Sequence, residues 1–434
     1  MKPATAFGDK RYAVLGLART GLSVVDYLWR SSAGVTAWDD REEAREQVAA
    51  KARIENFIDE DLTHFAAIVV SPGVPLNNHT IADKARAAGV PLICDIELFA
   101  QARGELPAHK VVGVTGTNGK STTAALIHHM IETAGMPALL GGNIGNPILA
   151  EEALPAGGVY VLELSSFQID LTQSLDCEVA ALLNITPDHL DRYESFDAYA
   201  ASKARLFDMQ SRDHMAVIAI DDARSAQIAW DLQKPEHGAR DPAHVIRVAA
   251  GGCMDQSGWP ALQGPHNAQN ALVAMSAARA LGVPEPAISE ALASFPGLPH
   301  RMERVGERGG VAFINDSKAT NPTSTAPALA AFPKIHWILG GRAKTRDLDA
   351  CEPHFGHVRA AYTIGESAEL LEHLLAPRMT VRNCGALDKA VRLAADAAKP
   401  GETVLLSPAC ASFDQFSDYE ARGEAFRAAV RALA

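Results

Sequence analysis

Residues 111–124, VVGVTGTNGKSTTA, contain the three parts of a polyphosphate-binding element. A β-branched apolar run is followed by the turn 116–121, GTNGKS, and then by helix-compatible residues. A glycine turn at a helix N-terminus points backbone N–H groups at an anion, and a lysine adds positive potential. We therefore predict a phosphate loop in which Lys120 contacts the β- and γ-phosphates and Ser121 binds Mg²⁺. The glycines at 113, 116 and 119 depart from the strict Walker spacing, and an ordinary strand-to-helix turn is the alternative.

The composition indicates a globular protein with more than one domain. The chain has 434 residues, of which 47% are hydrophobic and 21% charged, so two or three domains are expected. A net charge of −12 argues against a nucleic-acid partner. Six cysteines without a Cys-x-x-Cys pair, no apolar signal core in MKPATAFGDK and no run of about 20 apolar residues predict a cytoplasmic protein without membrane insertion.

A second glycine turn lies near the N-terminus. Residues 11–30, RYAVLGLARTGLSVVDYLWR, combine an apolar strand, the pair Gly16 and Gly21, and an amphipathic helix, and Asp39 ends the next strand. Dinucleotide folds hold a phosphate and a ribose hydroxyl in this way. Ala18 occupies the middle glycine position of that pattern, and a glycine that only packs a strand on a helix is the alternative. The turn 71–73, SPG, follows another strand and belongs to the same predicted ligand edge.

Several polar residues of the middle region are candidates for a metal or nucleotide site. Glu163 is a lone carboxylate in a buried strand, which favours Mg²⁺ over an ion pair when a phosphate loop is nearby. His189 follows the next strand, where a metal ligand and a hydrogen-bonded loop histidine are equally expected. The amphipathic helix 196–206 predicts a solvated Lys203. Asn267 and Asn270 share a helix face, with helix capping as the alternative.

Breaks in periodicity near 102–108 and 295–303 divide the chain into three α/β domains, each built on a mainly parallel sheet with helices. We predict an N-terminal Rossmann-like domain (1–107), a central P-loop ATPase-like domain (108–298) and a C-terminal Rossmann-like domain (299–434). In the last domain, three buried strands each end in a polar or small-residue loop, at 315–322, 340–344 and 407–412. Loops that follow parallel strands share one edge, so this edge is predicted to bind a ligand.

Taken together, these segments resemble the Mur ligase family, the ATP-dependent amide-forming enzymes of peptidoglycan precursor synthesis. The family-wide signals are TGTNGKST, Glu163, the N-x-T-x-D-H-L-D segment, Lys203, the HNxxN helix and Arg301. The segments GLARTGLS, SPGVP, DIELF, LELSSFQ, NDSKATN and SPACASFDQF resemble the D-glutamate-adding members in particular.

The resemblance implies an acceptor, UDP-N-acetylmuramoyl-L-alanine, that is joined to D-glutamate with ATP and Mg²⁺ by a monomer that binds no nucleic acid. Lys120, His189 and Lys203 would be catalytic, and the metal ligands would be Ser121, Glu163, His189 and Lys203 as a carbamate. The implied ATP-binding residues are Gly116, Thr117, Asn118, Gly119, Lys120, Ser121, Thr122, Asn270, Arg301 and Asp316. Those implied for the UDP substrate are Arg19, Thr20, Gly21, Asp39, Arg41, Ser71, Gly73 and Asn143. Those implied for D-glutamate are Lys318, Thr320, Lys344, Ser412 and Tyr419, the last without a task for its hydroxyl.

Three alternatives stay open at this point. Folylpolyglutamate synthetase shares the logic of the central domain, but the UDP-type N-terminal segment and SPACASFDQF argue against it. A nucleotide-driven switch would leave the polar loops of the third domain unexplained. A dehydrogenase that used the first glycine turn would leave Lys120 and Glu163 without a role.

Overall fold

The chain contains three β-sheets with helices between their strands, as expected from its three predicted α/β domains. A computed structural model describes residues 1–188, 192–234, 240–251 and 254–433. Residues 1–252 and 269–291 form one compact unit with the first two sheets, and residues 253–268 and 292–434 form a second unit with the third sheet. The predicted borders 107/108 and 298/299 remain predictions.

The first sheet has five parallel strands in the order β3-β2-β1-β4-β5, which is a doubly wound arrangement. Its central strands are buried on both faces because helices cover the sheet. The strands are β1 (Arg11–Leu15), β2 (Gly34–Trp38), β3 (Arg53–Ile54), β4 (Ala67–Val70) and β5 (Leu92–Ile93). The helices are α1 (Arg19–Arg30), α2 (Glu42–Glu46), α3 (Ile81–Ala88) and α4 (Asp95–Ala102).

The second sheet has six parallel strands in the order β11-β10-β9-β6-β8-β7. The strand before the predicted phosphate loop, β6, is therefore central, between β8 and β9. The strands are β6 (His109–Thr115), β7 (Ala138–Gly142), β8 (Gly158–Glu163), β9 (Val179–Leu182), β10 (Met215–Ala219) and β11 (Val245–Val248). The helices that follow in the chain are α5 (Lys120–Thr133), α6 (Ser166–Asp170), α7 (Phe196–Asp208), α8 (Ala223–Asp231), α9 (Pro265–Leu281) and α10 (Glu285–Ser294).

A polar interface joins the first two sheets within their unit. Glu97 accepts hydrogen bonds from the backbone N–H groups of Gln173 (2.7 Å) and Ser174 (3.0 Å). Arg103, in the predicted linker, forms an ion pair with Glu178 in which Nη2 donates to both carboxylate oxygens, at 2.9 and 3.0 Å. Both pairs are partly buried, so they hold the two sheets in a defined arrangement more firmly than surface pairs would.

The third sheet has six strands in the order β12-β13-β17-β14-β15-β16, and β12 alone among them is antiparallel to its neighbour. The three strands with polar loops, β13, β17 and β14, are direct neighbours, so the predicted binding edge is continuous. The strands are β12 (Glu303–Arg308), β13 (Val311–Asn315), β14 (Ile335–Gly340), β15 (Val358–Ile364), β16 (Val381–Gly385) and β17 (Thr403–Leu406). The helices are α11 (Pro322–Ala331), α12 (Ala368–Leu375), α13 (Leu387–Ala397) and α14 (Tyr419–Arg431).

Candidate functional site

The segment 109–133 forms the predicted strand, glycine loop and helix. Gly116 and Gly119 have φ values of +151° and +86°, a region that L side chains rarely adopt. A Cβ on Gly119 would overlap Oδ1 of Asn270, which lies against the loop. The helix α5 begins at Lys120, so its first N–H groups and its dipole lie at the loop, as an anion site requires.

Two lysine side chains converge on one carbonyl oxygen of this loop. Lys120 Nζ donates to the oxygens of Gly116 (3.0 Å) and Thr117 (2.8 Å), and Lys203 Nζ donates to the same Gly116 oxygen at 2.9 Å. Lys203 is 1% exposed and lies 4.6 Å from the centre of the Tyr199 ring. Burial, and then the charge of Lys120, lower the pKa of the Lys203 ammonium to about 7.

The burial of Lys203 corrects the expectation that it is solvated. The helix α7 was predicted correctly, but its amphipathic pattern assigned the lysine to the outer face. The ammonium donates a hydrogen bond to a backbone carbonyl oxygen 87 residues away in the chain. Local periodicity cannot reveal a contact of this kind. The structure therefore brings together two of the three predicted catalytic residues, Lys120 and Lys203. The third, His189, lies outside the described residues.

Glu163 is available to a cation beside the loop. It ends β8, pairs in register with Val114 of β6 and is 2% exposed. Its Oε1 accepts a hydrogen bond from Asn143 Nδ2 at 3.0 Å, and Asn143 N donates to the Glu163 backbone oxygen at 2.8 Å. Its buried Oε2 has no hydrogen-bond partner among the described residues. A buried, unsatisfied carboxylate oxygen near a hydroxyl-bearing loop fits a hard divalent cation.

The other predicted metal ligands that the structure describes do not form a cluster of acidic, histidine and cysteine side chains. Within the described ranges, no group of three or more His, Cys, Asp or Glu side chains could hold a metal ion. The predicted set does not need one, because it combines Glu163 with the Ser121 hydroxyl and with a carbamate on Lys203. Asn143 was expected near the sugar of the substrate. The structure places its amide on Glu163, and its contact with a sugar remains a prediction.

The N-terminal glycine turn is closed by hydrogen bonds to its own sheet. Gly16 has φ +86°, and Ser71 Oγ donates to its carbonyl oxygen at 2.7 Å. A Cβ on Gly21 would overlap that same oxygen, so both glycines are required for the turn. Ala18 has an ordinary φ of −76°, so the alanine at the middle position of the pattern causes no strain. The alanine at position 18 therefore leaves the strand, turn and helix geometry intact, and phosphate binding by this turn remains a prediction.

Asp39 secures this turn from the end of β2. Its Oδ2 accepts a hydrogen bond from Leu17 N at 2.7 Å, and Arg41 donates to both carboxylate oxygens at 3.0 and 3.1 Å. The Arg41 side chain, with the backbone N–H groups of Leu17 and Arg41, holds the pKa of Asp39 well below its usual range. The predicted residues Arg19, Thr20 and Gly73 lie on the same edge, in α1 and after β4, and their contacts with a ligand remain predictions.

In the second unit, Asp316 follows β13 and is 4% exposed. Its carboxylate accepts hydrogen bonds from Ser407 Oγ (2.8 Å) and Met302 N (3.2 Å). Burial raises the pKa of Asp316 to about 7, against the opposing effect of Ser407 and of the nearby Arg301 charge. Asp316 and Arg301, both predicted to bind ATP, thus lie near enough for the arginine charge to lower the pKa of the carboxylate.

The predicted D-glutamate residues form two pairs at the edge of the third sheet. Lys318 Nζ lies 4.0 Å from the centre of the Tyr419 ring, a cation–π contact. Lys344 Nζ donates to Thr320 Oγ1 at 3.4 Å. Ser412 lies in a loop that is joined to the loop after β14 by two hydrogen bonds, each 2.9 Å, between Arg342 and Ala411. Ammonium groups beside hydroxyls are suited to carboxylates.

Arg422 braces these loops and was missed in the sequence. It is 1% exposed, and its guanidinium donates to the oxygens of Ser317 (2.9 Å), Cys410 (3.1 Å) and Gly340 (3.3 Å), and to Ser317 Oγ at 3.0 Å. Burial lowers the pKa of Arg422 to about 10, so the side chain stays charged at neutral pH. The sequence does carry a signal for this burial, because Arg422 lies four positions before Phe426 and both residues are on the buried face of α14.

No described helix combines the length and apolar character that crossing a bilayer would take. Comparison of the sequence with known families gives three matches in chain order. The N-terminal domain described as Mur ligase MurD-like matches residues 10–94, the Mur ligase middle domain matches residues 114–278, and the glutamate ligase domain of Mur ligases matches residues 300–410.

Full-length relatives agree with these matches. A UDP-N-acetylmuramoylalanine--D-glutamate ligase of Novosphingobium aromaticivorans is 60% identical over 99% of this chain and 96% of its own length. An enzyme of the same name from Sphingopyxis alaskensis is 60% identical over the full length of both chains. The fold is shared with a solved UDP-N-acetylmuramate-alanine ligase of Thermotoga maritima, at a TM-score of 0.58, 15% identity and coverage of 98% of this chain and 99% of that one. The chain belongs to the Mur ligase family.

Proposed function

We propose that this protein joins D-glutamate to the alanyl carboxylate of UDP-N-acetylmuramoyl-L-alanine in an ATP-dependent reaction that forms an amide. The observation that carries the proposal is the convergence of Lys120 and Lys203 on the Gly116 carbonyl, at a helix N-terminus and beside a central β-strand. The names of relatives that are 54–60% identical over the full chain support the choice of substrates.

A carboxylate needs activation before an amine can displace one of its oxygens, because oxide is a poor leaving group at neutral pH. A carboxylate oxygen of the acceptor attacks the γ-phosphorus of ATP, the bond from that phosphorus to the β,γ-bridging oxygen breaks, and ADP leaves. The nitrogen of D-glutamate then attacks the acyl carbon of the mixed anhydride and loses a proton. The bond to the phosphate oxygen breaks, and phosphate leaves with the electron pair.

The phosphate loop and its lysine stabilise the first step. The ammonium of Lys120 and the N-terminal dipole of α5 provide positive potential where charge spreads over the transferred phosphoryl group. Close packing of Gly119 on Asn270 holds the backbone of the loop, so its N–H groups are in place before charge develops. The Lys120 ammonium would exchange its bonds to the Gly116 and Thr117 oxygens for phosphate oxygens. No side chain of the chain needs to form a covalent intermediate.

Ser121 and Glu163 would hold one Mg²⁺, with the unsatisfied Oε2 as the strongest structural support. Lys203, as a carbamate, and His189 would hold a second. When bound, these ions neutralise phosphate oxygens and so make the phosphorus more electrophilic. The carbamate would form when the neutral amine of Lys203 adds to CO₂, giving –NH–CO₂⁻ and one proton. The burial of the Lys203 side chain beside the Lys120 ammonium favours the neutral amine.

In the second unit, Lys318 and Lys344 would bind the two carboxylates of D-glutamate, with Thr320 and Ser412 as hydroxyl donors. The packing of Lys318 on the Tyr419 ring supports this role because it holds the ammonium in one place. Arg301 and Asp316 would contact ATP. On the first unit, the turn at Gly16 with Asp39 and Ser71 would bind the UDP group.

We also propose that the protein acts as a cytoplasmic monomer. Five of its cysteines are free thiols that are buried in the fold, and burial raises the pKa of each, Cys94 to about 12 among them. Such thiols are inert and suit a reducing compartment. Light scattering during gel filtration should give about the chain mass of 46.1 kDa.

The direct test is phosphate release from ATP in the presence of UDP-N-acetylmuramoyl-L-alanine, D-glutamate and Mg²⁺, with mass spectrometry of the product. The proposal requires that omission of either substrate abolishes release and that a new amide forms when both are present. Equal ATP hydrolysis without one of the substrates, and no amide product, would overturn it. L-Glutamate serves as the matched control for the amino acid.

A further inference from the structure

The loop after β9 is bound to the phosphate loop by a set of hydrogen bonds. The Asn184 side chain pairs with both backbone groups of Asn118, because Asn118 N donates to its Oδ1 at 2.9 Å and its Nδ2 donates to the Asn118 oxygen at 3.1 Å. The Asn184 backbone oxygen accepts from Thr117 N at 2.8 Å. A Cβ on Gly116 would meet Leu183 and the Asn184 backbone at 3.0–3.3 Å. One asparagine therefore holds two consecutive residues of the phosphate loop.

The side-chain amide of Asn184 is in turn oriented by a chain of two further groups. Its Nδ2 lies 3.5 Å from Gln269 Oε1, at the outer limit of a hydrogen bond, and Gln269 Nε2 donates to Asp221 Oδ2 at 2.8 Å. An ionised aspartate can only accept, so the NH₂ group of Gln269 must face Asp221 and its oxygen must face Asn184. That arrangement leaves the NH₂ group of Asn184 directed at Gln269 and at the Asn118 oxygen.

We propose that Asn184 is a positioning residue for the phosphate loop, and that Gln269 and Asp221 set the orientation of its amide. This inference rests on the proposed function, since it concerns the loop that would bind ATP. The turn must hold its conformation before the nucleotide arrives if its positive groups are to be preorganised. Without the Asn184 side chain, the peptide before Asn118 and the peptide after it would each lose one side-chain hydrogen bond that fixes its plane. The loop would then order itself only when ATP binds, at a cost in affinity.

The consequence for kinetics is specific. Asn184→Ala removes two hydrogen bonds to the loop and is expected to lower kcat/KM for ATP about 30-fold. The KM values for D-glutamate and for the UDP-linked acceptor should change by less than about twofold, because neither predicted site includes this loop. Asn56→Ala is the matched control. Asn56 Oδ1 also accepts a backbone N–H bond, from Ile58, but in the loop that follows β3.

Exchange of donors and acceptors tests the orientation chain. Gln269→Glu replaces the donor to Asp221 with a second carboxylate, so repulsion should displace residue 269 and raise the KM for ATP by about fivefold. The double variant Gln269→Glu with Asp221→Asn restores one donor and one acceptor between positions 221 and 269, and residue 269 can again accept from Asn184. We expect it to return to within about twofold of the wild type.

The experiment measures steady-state kinetics for all three substrates and, separately, ADP affinity by calorimetry, with thermal unfolding to check the fold of each variant. Wild-type protein is assayed first. Absence of substrate-dependent turnover there would reject the proposed function, whereas the ADP affinities would still test the loop. The inference is overturned if Asn184→Ala keeps both the wild-type KM for ATP and the wild-type affinity for ADP. It is also overturned if kcat/KM falls equally for all three substrates, or if the KM for ATP of the double variant is no lower than that of Gln269→Glu.

Discussion

Replacement of Arg422 by methionine should loosen the amino-acid loops of the second unit while keeping the side-chain volume. The guanidinium makes four hydrogen bonds of 2.9–3.3 Å that reach the ends of β13, β14 and β17. The thioether of methionine can replace none of them. Three backbone carbonyl oxygens, those of Ser317, Gly340 and Cys410, would lose this buried cationic donor.

The size of the effect follows from those three oxygens. A buried polar group left without its partner costs about 1–3 kcal/mol, and partial relaxation of the loops should offset some of the sum. We therefore expect a loss of about 3–6 kcal/mol in the free energy of unfolding of the second unit. For a domain of about this size, that corresponds to a fall of roughly 10–20 °C in its Tm. Because the three loops carry the predicted D-glutamate residues, the KM for D-glutamate should rise by at least about tenfold.

Differential scanning calorimetry measures the unfolding transition, and phosphate release at a temperature below that transition measures the KM. Arg392→Met is the matched control, since the Arg392 side chain is 65% exposed on α13 and pairs with Asp388 on the surface. Its loss should cost less than about 0.5 kcal/mol. If Arg422→Met unfolds within about 2 °C of the control and keeps the wild-type KM for D-glutamate, the bracing role assigned to Arg422 is wrong.

Three further substitutions test the first unit. Glu163→Gln replaces a carboxylate oxygen by an amide nitrogen, so the Mg²⁺ concentration for half-maximal phosphate release should rise about tenfold; an unchanged value would contradict metal binding by Glu163. Lys203→Ala should lower kcat about 100-fold, and added short carboxylates should restore part of the rate, whereas failure of every carboxylate tested would argue against a carbamate. Gly21→Ala places a Cβ on the Gly16 oxygen and should raise the KM of the UDP-linked acceptor about tenfold, with the KM for D-glutamate as the internal control.

Much of the architecture could be read from local patterns. The phosphate loop at 116–121 and the glycine turn at 16–21 are confirmed as strand, turn and helix, because glycines with positive φ and short apolar runs are local signals. The three polar loops of the third domain were expected at one edge, and the strand order makes their strands direct neighbours. In a parallel sheet, all strand ends of one kind meet at the same edge, so the chemistry of each loop can be predicted before the fold is known.

Other features depended on residues far apart in the chain. Lys203 was assigned to solvent, yet its ammonium meets a carbonyl 87 residues away. Arg422 was missed because the oxygens that receive its hydrogen bonds come from three different loops. Asn184 was part of a family motif, but its pairing with Asn118 became visible only when β9 was placed beside β6.

The sequence by itself determined the sheets, the glycine turns and the chemical character of each loop, since backbone conformation and apolar periodicity are encoded over a few neighbouring residues. Only the tertiary structure decided which polar groups are buried and what they contact. Burial of a charge depends on partners supplied by distant strands, and its free-energy cost is met only when those partners are in place.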